Sequence, residues 1–272
     1  MFKTRCISGV ILVIIALITL ITGGPVLLLT LFGISCIGYY ELSKACKVRT
    51  DNKVNALEVV GYLSIGVLYI LVNANVSDTI ILMWSVMTFF ALLGVYVFAF
   101  PKYHATQIMA SFFILLYAPL MFSFIYRIRM AKYGVYLVWM VFVASWISDT
   151  CAYLVGVMFG KHKLAPVLSP KKSIEGSIGG IAGSTLAGAL FGYIFSAQVG
   201  QEINLVFICA VLGGLGSVIS QIGDLAASAI KRQNDIKDYG TLIPGHGGIM
   251  DRFDSVIVTA PMIYFLIYFL IR

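Results

Sequence analysis

The stretch MFKTRCISGVILVIIALITLITGGP, Met1 to Pro25, begins with two basic side chains, continues as an apolar run and ends in a Gly-Gly-Pro turn. It imitates a secretion signal. Because it lacks a small-x-small cleavage site and leads straight into more apolar sequence, we interpret it as a first membrane-spanning helix. The same composition extends along the 272 residues, of which 60% are hydrophobic and 11% charged. In soluble proteins about a quarter of all residues are charged, so this composition indicates a membrane protein.

Apolar blocks of about 17 residues or more are long enough to cross a bilayer as helices. The sequence predicts nine of them, at residues 6–22, 25–43, 57–73, 78–100, 107–126, 133–159, 176–198, 203–230 and 249–271. The predicted fold class is therefore all-α, a polytopic integral membrane protein. We expect a single membrane domain over residues 1–272, with N-terminal helices in 1–132 and C-terminal catalytic helices and cytoplasmic loops in 133–272.

The net charge of +7 comes mostly from basic residues in short loops between the spans. That pattern sets membrane topology, so we expect contact with membrane lipids and no nucleic acid. The positive-inside rule predicts a cytoplasmic N-terminus and cytoplasmic loops at 160–175 and 231–248; Arg127, Arg129 and Lys132 do not fit it. A short chain without a transit segment suggests the bacterial cytoplasmic membrane, and a eukaryotic organelle is the alternative.

Asp149 and Asp224 stand inside predicted spans, where a carboxylate costs about 2.5–3.5 kcal/mol and usually has a purpose. Helical spacing aligns Ser220, Asp224 and Ser228 on one stripe, with Lys231 one turn further. The stripe predicts a buried polar site, although the serines alone would equally suit hydrogen bonding between helices. Asp149 could be a site carboxylate or the counter-ion of a basic residue.

The segment LIPGHGGIMDRFD, residues 242–254, contains three glycines before a predicted helix that starts near residue 249. Amide groups that converge at a helix N-terminus bind phosphate. Asp251 and Asp254 share a face of that helix and would repel a phosphate unless a divalent cation lay between them; oxygen ligands select Mg²⁺ or Mn²⁺. We therefore expect a metal-bridged phosphate, with His246 as a turn residue or phosphate donor.

Basic residues near these motifs could neutralise a polyphosphate. They are Lys171, Lys172, Lys231, Arg232, Lys237 and Arg252. The sequence contains no GxxxxGK[ST] loop, no GxSxG elbow and no HExxH helix, so the common nucleotide-loop, hydrolase and zinc-protease motifs are absent.

The segment SAIKRQNDIKDYGTLIPGHGGIMDRFD, residues 228–254, resembles the C-terminal signature of the phosphatidate cytidylyltransferases, the CDP-diacylglycerol synthases. The matching positions are Ser228, Lys231, Arg232, Lys237, Asp238, Gly240, Pro244, His246, Gly247, Gly248, Asp251, Arg252 and Asp254. Residues 148–176, SDTCAYLVGVMFGKHKLAPVLSPKKSIEG, are similar to a second conserved region of that family. The N-terminal half matches in hydropathy and in details such as GYYELSK. Val157 and Ile174 depart from the family pattern, at positions where a basic residue and an aromatic residue are usual.

The resemblance implies a dimeric membrane enzyme that converts CTP and phosphatidic acid to CDP-diacylglycerol and pyrophosphate. It implies Mg²⁺, and in some members a monovalent cation such as K⁺. Asp224 and Asp251 would bind the metal, with Asp149 and Asp254 as further candidates, and Ser228 and Lys231 would contact the reacting groups. Substrate binding would fall to Lys171, Lys172, Arg232, Lys237, His246, Gly247, Gly248 and Arg252.

Two other functions fit parts of the pattern. A CTP-dependent kinase of a lipid alcohol would use a similar site and release CDP. A cation-coupled transporter would use Asp149 and Asp224 as an ion relay, but we find no inverted repeat in the sequence.

Overall fold

The computed structural model of the chain describes residues 2–50, 53–200, 202–245 and 247–271, with side chains from residue 8 onward. These ranges contain long helices and one two-stranded hairpin. The helices are α1 (Phe2–Thr22), α2 (Gly24–Ala45), α3 (Ala56–Asn73), α4 (Asp78–Phe98), α5 (Ala105–Met130), α6 (Gly134–Phe159), α7 (Ile174–Val199), α8 (Leu205–Gln233) and α9 (Met250–Leu270). The strands are β1 (Lys163–Ala165) and β2 (Ser169–Ser173), which pair antiparallel.

Within the described residues, 8 helices, α2 to α9, are long and apolar enough to span a membrane. Helix α1 adds a shorter apolar helix, Ser8–Thr22. The predicted all-α, polytopic membrane fold is confirmed, and every predicted span coincides with a helix to within a few residues. Composition suffices here because the bilayer accepts only segments that satisfy their own backbone hydrogen bonds.

Three local features differ from the prediction. The expected polar loop at 160–175 contains the β1–β2 hairpin. Helices α5 and α6 each include a π-helical turn, at Leu116–Leu120 and Val143–Ile147; the first contains Pro119, which has no N–H to donate. Helix α5 also continues to Met130, so Arg127 is helical and forms an ion pair with Asp78.

Internal contacts divide the chain into two compact units. The first unit comprises Met1–Arg127 and Asn234–Arg252, and the second comprises Ile128–Gln233 and Phe253–Arg272. The loop that joins α8 to α9 therefore belongs to the first unit, together with the N-terminal helices.

In the first unit, α2 and α3 pack through a small residue. A Cβ added to Gly61 would lie 2.1 Å from the hydroxyl oxygen of buried Tyr39, so only glycine fits there. Helix α3 begins with a capping box: the Glu58 amide donates to the Asn55 side chain and the Asn55 amide donates to the Glu58 carboxylate, both at 3.0 Å. Glu58 is fully buried and also pairs with Arg49 at 3.1 Å.

In the second unit, α7 and α8 approach closely along glycines. A Cβ on Gly188 would lie 2.2 Å from the Cys209 carbonyl oxygen, and one on Gly213 would lie 2.3 Å from that of Ser184. Glycines allow such backbone contact between membrane helices. This packing fixes α8, which carries Asp224.

Candidate functional site

A cleft of about 510 Å³ opens in the second unit. Residues from α6, the hairpin, α7 and α8 line it. The lining includes both charged and apolar residues, and consists of Asp149, Ala152, Tyr153, Gly156, Val157, Lys163, Leu164, Lys171, Lys172, Ser173, Gly176, Ser177, Gln221 and Asp224. The segments that carry Asp149, Asp224 and the two lysines Lys171 and Lys172 thus meet at one cavity.

An ion pair between Lys172 and Asp224 joins the hairpin to α8 in this cleft. Both side chains are largely buried, with 25% and 27% of their surfaces exposed. The Lys172 ammonium group is itself removed from solvent. A charge in such a place needs a partner of opposite sign, and Asp224 supplies it.

Two further aspartates act on the same charge cluster. Asp149 lines the cleft and interacts electrostatically with Asp224 and Lys172. Asp254, on α9, interacts with Asp224, Lys231 and Asp149. Asp149 therefore interacts with both a carboxylate and a lysine, and its roles as a site carboxylate and as a counter-ion both stay predictions.

The carboxylates do not form a closed metal cage. In the part of the chain that the structure describes, no three His, Cys, Asp or Glu side chains are grouped so that they could hold a metal ion by themselves. Three carboxylates nevertheless interact electrostatically with two ammonium groups in this cluster, so the acidic groups outnumber the basic ones by one. Mg²⁺ commonly binds one or two carboxylates and completes its shell with water and phosphate oxygens.

Gln221 is a cleft residue that the sequence analysis did not identify. Its side-chain amide donates to the Ser177 carbonyl oxygen at 3.2 Å and to the Ser217 hydroxyl at 3.4 Å. Ser217 in turn shares a buried 2.6 Å hydrogen bond with Ser148. The predicted stripe is thus shifted, because Gln221 and Asp224 line the cleft whereas Ser220 is fully buried.

The glycine-rich loop, residues 234–249 apart from residue 246, forms a second cavity of about 580 Å³ in the first unit. Two glycines with left-handed backbone angles, Gly245 and Gly247, help it turn, and Ile243 donates to the Gly247 carbonyl oxygen at 2.9 Å. The cavity is lined by Lys237, Asp238, Gly240, Thr241, Ile243, Gly245, Gly247 and Arg252. Predicted phosphate-binding residues Lys237, Gly247 and Arg252 therefore share one polar cavity.

The amides at the start of α9 are not arranged as predicted. The Gly248 amide donates to Asp251 Oδ2 at 2.9 Å, and those of Ile249 and Met250 donate to the Glu41 carboxylate at 3.0 and 2.9 Å. Protein carboxylates therefore accept hydrogen bonds from all three amides, which do not form the free phosphate-binding group that the sequence predicts. Substrate binding by Gly248 stays a prediction.

The other predicted residues lie around these two cavities. Ser228 and Lys231 are half-buried on the last turns of α8, where Arg232 is exposed. Asp251 is 7% exposed and its Oδ2 accepts a second amide hydrogen bond, from Tyr239 at 2.8 Å. His246 lies outside the described residues.

Comparison with known proteins agrees with this arrangement of motifs. A family model described as "Cytidylyltransferase family" matches residues 3–270. The chain belongs to the cytidylyltransferase family.

Curated relatives extend the match to nearly full length. A protein of Staphylococcus saprophyticus named phosphatidate cytidylyltransferase is 30% identical over 274 residues, covering 97% of this chain and 98% of the relative. Proteins of the same name from Bacillus subtilis and Staphylococcus aureus strain COL are 30% and 31% identical, each over 97% of this chain. The cytidylyltransferase resemblance noted in the C-terminal half therefore extends to the N-terminal helices.

Glu41 is the functional candidate that sequence reasoning missed in this family member. It lies in the segment GYYELSK, and it is a carboxylate within the apolar helix α2. The same criterion that selected Asp149 and Asp224, an acid inside a predicted span, applies to it. Its partners lie 208 and 209 residues further along the chain, so the sequence could not identify them.

Proposed function

We propose that this chain transfers CMP from CTP to phosphatidic acid, which gives CDP-diacylglycerol and pyrophosphate. The observation that carries the proposal is the near-complete alignment with relatives named phosphatidate cytidylyltransferase. Partial overlap would allow a different reaction on a shared nucleotide-binding segment, whereas here both the N-terminal and C-terminal helices align.

The cleft of the second unit supports a lipid substrate with an anionic head. Lys171 and Lys172 provide positive charge, and Tyr153 and Val157 are apolar lining residues that are 71% and 69% exposed. A phosphate on an acyl-chain body needs both kinds of surface, because each part must find a matching environment within the membrane.

The proposed reaction requires little proton transfer by protein side chains. An oxygen of the lipid phosphate forms a bond to the α-phosphorus of CTP, the bond from that phosphorus to the β-bridging oxygen breaks, and pyrophosphate leaves. The lipid phosphate is already anionic near neutral pH, so no base must activate it. The task of the side chains is to position two polyanions and offset their charge.

We assign that task to the basic residues of both cavities. Lys171 and Lys172 are the candidates in the second unit, and Lys237 and Arg252 are those in the first. Ser228 and Lys231 are the proposed contacts to reacting groups, and Arg232, His246 and Gly247 are further proposed substrate-binding residues.

We expect the enzyme to need Mg²⁺, for which Mn²⁺ could substitute. Asp224 is the proposed ligand in the second unit, with Asp149 and Asp254 as further candidates, and Asp251 is the proposed ligand in the first. The ion would supply positive charge at phosphoryl oxygens. A monovalent cation such as K⁺ stays an expectation.

We also propose a homodimer in the bacterial cytoplasmic membrane, with loops 160–175 and 231–248 facing the cytoplasm. Bacterial relatives and the basic character of these loops support the location. Cysteine accessibility from each side of sealed vesicles, and the mass of the protein in detergent, test these two points.

The decisive experiment supplies purified protein in detergent with CTP, phosphatidic acid and Mg²⁺ and identifies the products. Pyrophosphate and a CDP-lipid formed together are expected, and both should stop when a chelator removes the metal. Release of CDP would indicate a lipid kinase instead, and no nucleotide consumption would favour a transporter.

Variants assign the site residues in the same assay. Asp224→Asn and Asp251→Asn should each lower turnover by about 10² to 10⁴, by analogy with other electrostatic deletions. Lys161→Met, an exposed lysine outside the cleft lining, is the control and should keep normal turnover. Near-normal turnover in both aspartate variants would contradict the assignment.

A further inference from the structure

A buried carboxylate in the first unit caps the start of α9. Glu41 on α2 is 3% exposed, and its two oxygens separately accept the amide hydrogens of Ile249 and Met250, at 3.0 and 2.9 Å. A carboxylate is rarely buried without donors, and a helix N-terminus offers both unpaired amides and a favourable dipole. Glu41 thus supplies a cap that comes from a different helix.

The loop closes tightly around this carboxylate. A Cβ added to Gly240 or to Gly248 would lie 2.4 Å from Glu41 Oε1. Neither glycine has a left-handed backbone angle, so the requirement for glycine at these two positions arises from the approach to Glu41. Gly240 and Gly248, which lie near the two ends of the loop around the 580 Å³ cavity, therefore both pack against the Glu41 side chain.

A second carboxylate completes the arrangement. Asp251 Oδ2 accepts the amide hydrogens of Tyr239 and Gly248, which flank the glycine-containing part of the cavity lining, Gly240 to Gly247. Asp251 and Glu41 also interact electrostatically. The position of Asp251 is consequently tied to that of Glu41 through the shared first turn of α9 and through Gly248.

We infer that Glu41 is a positioning residue: it holds the glycine-rich loop and Asp251 in the conformation that binds the triphosphate group of the nucleotide. The inference rests on the proposed function for the identity of the ligand, but the conformational role of Glu41 does not depend on it. Among the described residues of the loop, Glu41 approaches backbone amides and two glycines, so we assign its effect to the loop residues that face the cavity.

Kinetics on Glu41→Gln, a nearly isosteric change, test the role. The amide keeps one acceptor oxygen and turns an NH₂ donor toward a backbone donor, so one of the two hydrogen bonds is lost. We expect the KM for CTP, and the Mg²⁺ concentration for half-maximal activity, to rise about tenfold or more. The KM for phosphatidic acid should stay within about twofold, and Glu41→Asp should recover part of the loss.

Glu58→Gln is the matched control, because Glu58 is also fully buried in the first unit and caps a helix, α3. It should lower thermal stability without raising the KM for CTP. Gly240→Ala provides a second route to the same disturbance from the loop side, should Glu41→Gln fold poorly. A rise in the KM for CTP in Gly240→Ala, and not in Glu58→Gln, supports the inference.

Hydrogen exchange separates this inference from the proposed function. The amide hydrogens of residues 248–250 should exchange with solvent at least tenfold faster in Glu41→Gln than in the wild type, even if the protein does not turn over CTP. In Glu58→Gln their exchange rates should be unchanged. Wild-type exchange at these amides overturns the positioning role. Faster exchange together with an unchanged KM for CTP overturns the link to nucleotide binding.

Discussion

The ion pair between Lys172 and Asp224 allows a prediction that separates stability from turnover. Asp224→Asn and Lys172→Met each break the pair, and the double variant removes both charges. Lys172→Met leaves Asp224 beside two other carboxylates, Asp149 and Asp254, and is expected to be the less stable single variant. Asp224→Asn leaves Lys172 with a remaining electrostatic interaction with Asp149, so the loss of stability should be smaller.

The exposure of the two side chains sets the magnitude. Exposed ion pairs contribute about 0.2–1 kcal/mol, whereas breaking a buried pair costs about 3–5 kcal/mol. At 25% and 27% exposure the pair falls between these limits. We expect about 2–3 kcal/mol of destabilisation for Lys172→Met, about 1 kcal/mol for Asp224→Asn, and a coupling energy of about 1–2 kcal/mol.

Thermal unfolding in detergent measures the stability part. One kcal/mol shifts the Tm of a chain of this size by about 2–4 °C. With these energies the double variant is destabilised by up to about 1 kcal/mol less than Lys172→Met alone, so it should melt up to about 4 °C above that variant. CTP-dependent pyrophosphate release measures the functional part. All three variants should lose turnover by about 10² to 10⁴. Asp224→Asn and the double variant lack the carboxylate, which regained stability does not restore, and Lys172→Met lacks a positive charge that is proposed to bind a substrate phosphate.

Two results would refute this reasoning. Destabilisation in the double variant that equals the sum of the single variants within about 0.5 kcal/mol means that the two charges are not coupled. Turnover in the double variant close to that of the wild type means that Asp224 stabilises the cleft and takes no part in the reaction. Lys161→Met, which removes an exposed charge, controls for general effects of net charge.

Two further predictions concern contacts in the second unit. Gly188→Ala should lower the free energy of unfolding by about 1–3 kcal/mol, because its Cβ would lie 2.2 Å from a carbonyl oxygen of α8. Gly66→Ala is the control and should be neutral, because nothing lies within 4 Å of its added Cβ; equal Tm shifts in the two variants would contradict the prediction. Gln221→Leu removes the hydrogen bond to Ser177 and should destabilise the protein by about 1–2 kcal/mol in thermal unfolding; a change below about 0.3 kcal/mol would show that this contact is dispensable.

Much of the fold was predictable because membrane insertion depends on local composition. The predicted span 78–100 is helix Asp78–Phe98, and 133–159 is Gly134–Phe159. The β1–β2 hairpin was missed, since its sequence, KLAPVLSPKKS, contains two prolines and shows no regular alternation of apolar and polar residues. The extension of α5 to Met130 was missed because Arg127 looked like a loop residue, whereas the structure places it in the helix, paired with Asp78 and over the Phe124 ring.

The site was predictable in its residue types and less so in its partners. Asp224 and Lys172 were chosen separately, one as an acid inside a span and the other as part of a basic motif, and the structure pairs them. Gln221 was passed over because an uncharged amide in a long apolar helix gives a weak signal. Asp149 was left with two interpretations, a site carboxylate and a counter-ion. Its electrostatic neighbours, a carboxylate and a lysine, are compatible with both.

The sequence by itself determined the solvent of this protein, its spans and its family, because hydrophobic length and a contiguous signature are local properties. Tertiary structure decided which groups the amides at the start of α9 bind. The glycine-rich segment was expected to bind phosphate directly, yet the Ile249 and Met250 amides bind Glu41, which stands 208 and 209 residues earlier. A helix N-terminus accepts any suitably placed anion, and only the folded chain determines which anion reaches it.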